Sequence, residues 1–151
     1  MLIREGELRR PEVEELLTTH LDFARFHSPA CSVHALDLDK LEVPEITFLT
    51  AWEGNKLMGC GALKELNSHH GEIKSMHTAE VFRGKGVAVQ LLTHIMDLSR
   101  QRLYQRLSLE TGSMEAFAPA RALYSRFGFE DCEPFGSYFV DINSQYMTCE
   151  L

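Results

Sequence analysis

The order of apolar and polar residues along the chain predicts a succession of strands and helices. Leu2 to Arg4 reads as a short opening strand. Val13, Leu16, Leu17, Leu21 and Ala24 then recur at helical spacing. This helix opens on Pro11, where no hydrogen bond is lost, and Glu12, Glu14 and Glu15 follow where negative charge suits the helix dipole. His20 shares the apolar stripe and is expected as a packed core histidine. From His27 to Glu45 no period holds, Pro29 and Pro44 punctuate, and a helical turn fits Leu36 to Leu41. Ile46 to Glu53 and Lys56 to Leu63 read as two strands joined at Gly54-Asn55. A polar loop, Asn67 to Gly71, leads to a third strand over Glu72 to Thr78. Ala88, Leu91, Leu92, Ile95 and Met96 form one face of a long helix. Arg106 to Thr111 has the character of a buried strand. Ala120, Leu123, Tyr124 and Phe127 mark a second helix, with Pro119 at its start and Gly128 just past its end. Phe129 begins a strand, and Tyr146 to Cys149 is the last one.

Antiparallel strands followed by two strand–helix units describe an α/β chain of the α+β type. The expected architecture is a mixed sheet with helices on both faces, in one domain over residues 1–151. No apolar run approaches the ~20 residues of a membrane span. Met1 to Arg10 lacks the apolar core of a signal peptide, so the expected address is cytoplasmic, with no membrane partner. The net charge is −7 and the basic residues are scattered, apart from Arg9-Arg10 and the group Arg100, Arg102 and Arg106. That pattern argues against a nucleic-acid partner. Cys31, Cys60, Cys132 and Cys149 lie far apart, and the histidines supply no partner pair at ligand spacing, so no metal site is expected.

The most informative segment is Arg83-Gly84-Lys85-Gly86-Val87-Ala88, between a strand and a long helix. Two glycines allow a tight turn and close approach to a ligand. The free N–H groups of the helix start then converge on one point, which suits a pyrophosphate. The motif lacks the Lys-Ser/Thr of a P-loop and the third glycine of a dinucleotide fold.

These residues resemble the GNAT acetyltransferases. Arg83, Gly86 and Ala88 fit that family's Arg/Gln-x-x-Gly-x-Gly/Ala pattern, and Leu123, Tyr124, Gly128 and Phe129 fit its later Leu-Tyr-x-x-x-Gly-Phe stretch. Leu109 to Gly112, Pro134-Phe135-Gly136 and Asn143-Ser144 look like a bacterial, YsnE-like branch. The resemblance implies a twisted, mostly antiparallel sheet of about six to seven strands, with a V-shaped splay between the fourth and fifth. It also implies acetyl-CoA as the acetyl donor, lying in that gap without a metal. Its pantetheine arm would meet the backbone of Met76, His77 and Thr78, and its pyrophosphate the turn Arg83, Gly84, Lys85, Gly86, Val87 and Ala88. Dimers are common among such proteins, and the last strand could support a homodimer. One departure stands out: Phe117, seven residues before Tyr124, replaces a cofactor-contacting Asn of many members.

Amide formation needs a neutral amine, a polarised thioester and a proton for the leaving thiolate. At pH 7, neutralising a lysine-like amine costs ~4.6 kcal/mol and an α-amine only ~1 kcal/mol. Glu72 is the expected base, since it stands eleven residues before Arg83, as the catalytic Glu of histone-acetylating members does. Glu110 is the second candidate. Tyr124 is the expected acid, and the N–H near Met76 or His77 the expected oxyanion donor. Alternation should place Glu72, Lys74 and Met76 on one strand face. Ser28, Ser32, His34 and Asp37, with Asp141 and Asn143, are candidates for the acceptor pocket.

The expected activity is therefore transfer of acetyl from acetyl-CoA to a primary amine of a small molecule, by direct attack in a ternary complex. The alternatives are a CoA-binding module without catalysis, acetylation of protein amines, and a phosphate-ligand binder unrelated to CoA.

Overall fold

The computed structural model of the protein describes residues 1–151. Its strands are β1 (Leu2–Glu5), β2 (Ile46–Glu53), β3 (Lys56–Asn67), β4 (His70–Thr78), β5 (Arg106–Gly112), β6 (Glu130–Asp131) and β7 (Ser144–Glu150). Its helices are α1 (Pro11–His27), α2 (Leu38–Leu41), α3 (Val87–Gln101) and α4 (Ala118–Arg126). The strands form one seven-stranded sheet in the order β1-β2-β3-β4-β5-β7-β6. Every neighbouring pair is antiparallel except β4 and β5. A parallel pair needs a crossover, and α3 supplies it.

Strand alternation divides the core in two. Leu49, Leu63, Ile73, Leu107 and Leu109 face one way and pack on Leu91, Leu92 and Ile95 of α3 and Tyr124 of α4. Phe48, Trp52, Cys60 and Ala62 face the other way, onto Val13, Leu16 and Leu17 of α1 and Leu41 of α2. The helices thus cover both faces, as the sequence led us to expect.

The polar loop expected over Asn67 to Gly71 is corrected to a turn of Ser68 and His69. The backbone N–H of His69 donates to Asn67 Oδ1 at 2.9 Å. His70 and Gly71 are already paired with Arg106 and Leu107 of β5. A side chain at Gly71 would strike Leu63, Tyr104 and Leu107 within 2.9–3.0 Å, so this glycine serves packing rather than a loop. At the other end, β6 has two residues only, and an irregular segment, residues 132–143, returns the chain to β7.

Ile95 is fully buried between α3 and the sheet. Replacing Ile95 with Ala should therefore lower unfolding free energy by about 2–5 kcal/mol. Urea denaturation followed by tryptophan fluorescence measures this; a loss below about 1 kcal/mol would contradict the packing.

Candidate active site

The site arises where β4 and β5 part. Their ladder joins His70 to Ile73 with Arg106 to Leu109 and then stops. Beyond Ile73, β4 keeps only β3, while β5 stays paired with β7 along its whole length. The outer edge of β4 therefore carries backbone donors and acceptors without a strand partner, on the side that opens into a cleft of about 740 Å³.

A bulge bends β4 within this stretch. The β3–β4 register shifts between Cys60 and Ala62, and Ser75 takes a φ of 53°. Lys74 is paired with Ala62, and His77 with Cys60, so both sit on the α1 face. Met76 instead turns to α3: a side chain at Gly61 would meet its sulfur at 2.6 Å and Ile95 at 3.3 Å. The expected common face for Glu72, Lys74 and Met76 is thus corrected, because one extra residue reverses the alternation. Met76, His77 and Thr78 all line the cleft.

At one end of the cleft lies the turn before α3. Gly84 and Gly86 have φ of 74° and 79°, left-handed conformations that strain any side chain. Gly86 caps α3 without a side-chain hydrogen bond, leaving the first-turn N–H groups available. Arg83, Gly84, Gly86, Val87 and Ala88 line the cleft. Lys85 does not; its ammonium lies over the Phe82 ring, 5.1 Å from the centroid. This arrangement fits a polyphosphate: oriented N–H groups, a helix N-terminus and the Arg83 cation face the same space. Tyr124 reaches the cleft from α4, and burial holds its phenol well above the ordinary value, so it stays protonated.

The middle of the cleft is walled by aromatic rings. Phe117 stacks edge-on against Phe23 of α1, with centroids 5.5 Å apart. Its ring occupies the space over Gly112 that any side chain there would need. The position that holds Asn in many family members is thus an apolar seal here. His20 packs inward, as its place on the apolar stripe led us to expect, and has a second position as well. It lines the cleft, and its Nδ1 lies 3.2 Å from Nδ1 of His77.

The far end is polar. Ser28, Ser32 and His34 line it with Lys74, Glu110 and Thr111. Asn143 Nδ2 donates to Ser32 Oγ at 3.4 Å, and Asp141 holds the backbone N–H of Asn143 at 2.9 Å. Asp37 has a local task, capping α2 through the N–H of Lys40 at 3.1 Å. Glu72 is 3 % exposed and lies outside the cleft lining, ion-paired with Lys74 Nζ at 3.0 Å. Tyr138, from the irregular segment, donates its hydroxyl proton to Glu72 and accepts from Lys74 Nζ at 2.9 Å. Glu110 faces the cleft, and burial pushes its carboxyl up to about 7. Sequence reasoning gave no role to Lys74 as a lining residue, to Tyr138 or to Phe23. An aromatic in an irregular stretch carries no periodic signal, and only the fold brings Tyr138 back onto β4.

A sequence model of the Acetyltransferase (GNAT) family matches residues 13–129. The chain belongs to this family and is an acyltransferase of its kind. It is 54% identical over 151 residues, 100% of both chains, to YsnE of Bacillus subtilis, an uncharacterized N-acetyltransferase. That likeness agrees with the YsnE-like features of the sequence. A solved protein from Klebsiella pneumoniae shares the fold with a TM-score of 0.83 and 27% identity, covering 99% of this chain and 97% of that one. A GNAT family acetyltransferase from Elizabethkingia anophelis, solved with acetyl-CoA bound, has a TM-score of 0.73 at 21% identity, with 99% and 97% coverage. No helix of this chain is long and apolar enough to cross a membrane.

The histidine pair gives a test of the cleft. Burial lowers both His20 and His77 to about 4; the neighbouring His77 further opposes charge on His20, and Arg83 opposes it on His77. Both rings are neutral at pH 7, whereas in the unfolded chain they take protons near 6.5. Their contribution to stability is whole above pH 6.5 and is lost as pH falls toward 4. Urea melts of the wild type should weaken between pH 6.5 and 5, and His20→Asn should flatten that slope. An unchanged slope would mean that the pair is not buried as described.

Proposed function

We propose that the protein transfers acetyl from acetyl-CoA to a primary amine of a small molecule, by direct attack in a ternary complex. One observation carries the reading: a single cleft at the β4–β5 splay joins an anion-binding turn, a protonated tyrosine and a carboxylate poised near neutrality. Acetyl-CoA supplies the activated acyl group as a thioester. The turn from Arg83 to Ala88 binds its pyrophosphate, and the open edge of β4 from Met76 to Thr78 pairs with its amide-bearing arm.

Glu110 takes the proton of the acceptor ammonium, and the freed nitrogen pair bonds to the thioester carbon. Charge gathers on the thioester oxygen and is met by the β4 N–H near Met76 or His77. The carbon–sulfur bond breaks, Tyr124 gives its proton to the departing sulfur, and the second proton shed by the new amide nitrogen restores the phenol. Glu110 is the better base on position, because Glu72 is tied to Lys74 and Tyr138 behind the cleft wall. A base that ionises near 7 is also matched to working pH. The irregular segment is tied by Asn143 to Ser32 of the polar end, which favours a small acceptor over an extended polypeptide.

Thiol release from acetyl-CoA, measured against pools of amino acids, polyamines, aminoglycosides and basic peptides, tests this directly. One small-molecule pool should stimulate release, with rate rising to a plateau as pH passes about 7. Glu110→Gln should cut that rate by about 10²–10⁴-fold, and Tyr124→Phe by about 10²-fold. Release that only basic peptides stimulate would move the acceptor to protein amines. Full activity in Glu110→Gln would remove Glu110 from the chemistry.

A further inference from the structure

We propose that the buried Glu72–Lys74 ion pair, capped by Tyr138, is a positioning unit that leaves Glu110 as the one free carboxylate of the cleft and sets the pH at which it ionises. The proposal rests on Glu110 as the base. It makes Glu72 a residue that acts through another rather than on the substrate.

The geometry begins with the parallel ladder. Glu72 is paired with Ser108, and Ile73 with Leu109, so Lys74 and Glu110 stand next in register on the same face where the strands part. Two carboxylates and one ammonium share that face. The ammonium is committed to Glu72: Lys74 Nζ sits 3.0 Å from Glu72 Oε1 and 2.9 Å from the Tyr138 hydroxyl, which donates to that same oxygen. Exposure of the two side chains is only 9% and 3%, so water does not screen them. Tyr138 is itself wedged among rings, 5.0 Å from His34, 5.2 Å from Phe135 and 5.5 Å from Tyr146. The pair is thereby fixed in place, and its charges largely cancel.

Glu110 meets groups from every neighbouring element. Lys74 of β4 favours its charged form, and Glu72 of β4 and Asp141 of the irregular segment oppose it. The Ser144 hydroxyl of β7, buried without a hydrogen-bond partner of its own, also favours the charged form. Tyr146 of β7 and Tyr138 are neutral phenols beside it, and His34 on the chain after α1 stands over Tyr138. Among these, Lys74 is the only cation, and removing either member of its pair unbalances the field at Glu110. Without the Glu72 charge, Lys74 acts on Glu110 alone, and Glu110 ionises at lower pH. Without Lys74, Glu72 repels Glu110 unopposed, and Glu110 ionises at higher pH.

Carbon-13 NMR of the glutamate carboxyl carbons tests this without a known acceptor, with Glu110→Gln assigning the resonance. Glu72→Gln should move the Glu110 midpoint down by about one pH unit and Lys74→Gln should move it up by a similar amount. Two variants with opposite signs keep the test decisive if one fails to fold. Midpoints unchanged in the folded variants, or moved in the same direction by both, would overturn the proposal. The reading of Glu110 as base fails separately, through activity surviving in Glu110→Gln. Once an acceptor is in hand, the acid limb of the rate profile should shift as the NMR midpoint does. A Glu72→Gln enzyme with its acid limb abolished would instead make Glu72 the base.

Discussion

The ladder between β4 and β5 ends after four pairs, and every feature of the site depends on that ending. Had the two strands stayed joined, the N–H and C=O groups of Met76 to Thr78 would be spent within the sheet. The bulge at Ser75 bends β4 away, while β5 remains held by seven pairs to β7. The rigid partner and the bent one thus open a gap with a fixed shape. The same gap explains Phe117, whose ring enters over Gly112 and closes the cleft on its α1 side.

Charge is divided along this gap. The turn before α3 presents N–H groups and Arg83 to one end, where an anion belongs. The other end is lined by Glu110 and Lys74, and the carboxylates of Glu72 and Asp141 act on Glu110 from outside the lining. The carboxylates there suit the cationic amine proposed as acceptor, and the neutral histidine pair adds no competing charge. Proton donors and acceptors are kept apart in the same way. Burial alone holds the Tyr124 proton, whereas Glu110 sits in a field that nearby charges can adjust.

Much of the fold was legible in the sequence because its signals are periodic. The apolar stripe from Ala88 to Met96 reports burial on one face, and β2 and β3, buried on both faces, are marked off by the turn at Gly54-Asn55; these signals gave the elements nearly as found. The glycine turn was legible for a different reason: left-handed backbone leaves few residue choices. Three things were not legible. The bulge at Ser75 follows from strand pairing, and serine gives no sign of it. Gly71 looked like a loop residue, although it is there to let Tyr104 and Leu107 close over the sheet. The pairing of Lys74 with Glu72 rather than Glu110 is shared with Tyr138, which comes from far along the chain.

The central claim is that the split between β4 and β5 seats acetyl-CoA. Amide NMR during titration with acetyl-CoA measures it most directly. The account predicts that the N–H resonances of Met76, His77 and Thr78, and those of Gly84, Gly86, Val87 and Ala88, shift together with one dissociation constant. Shifts confined to residues outside the cleft, or none at millimolar acetyl-CoA, would contradict it.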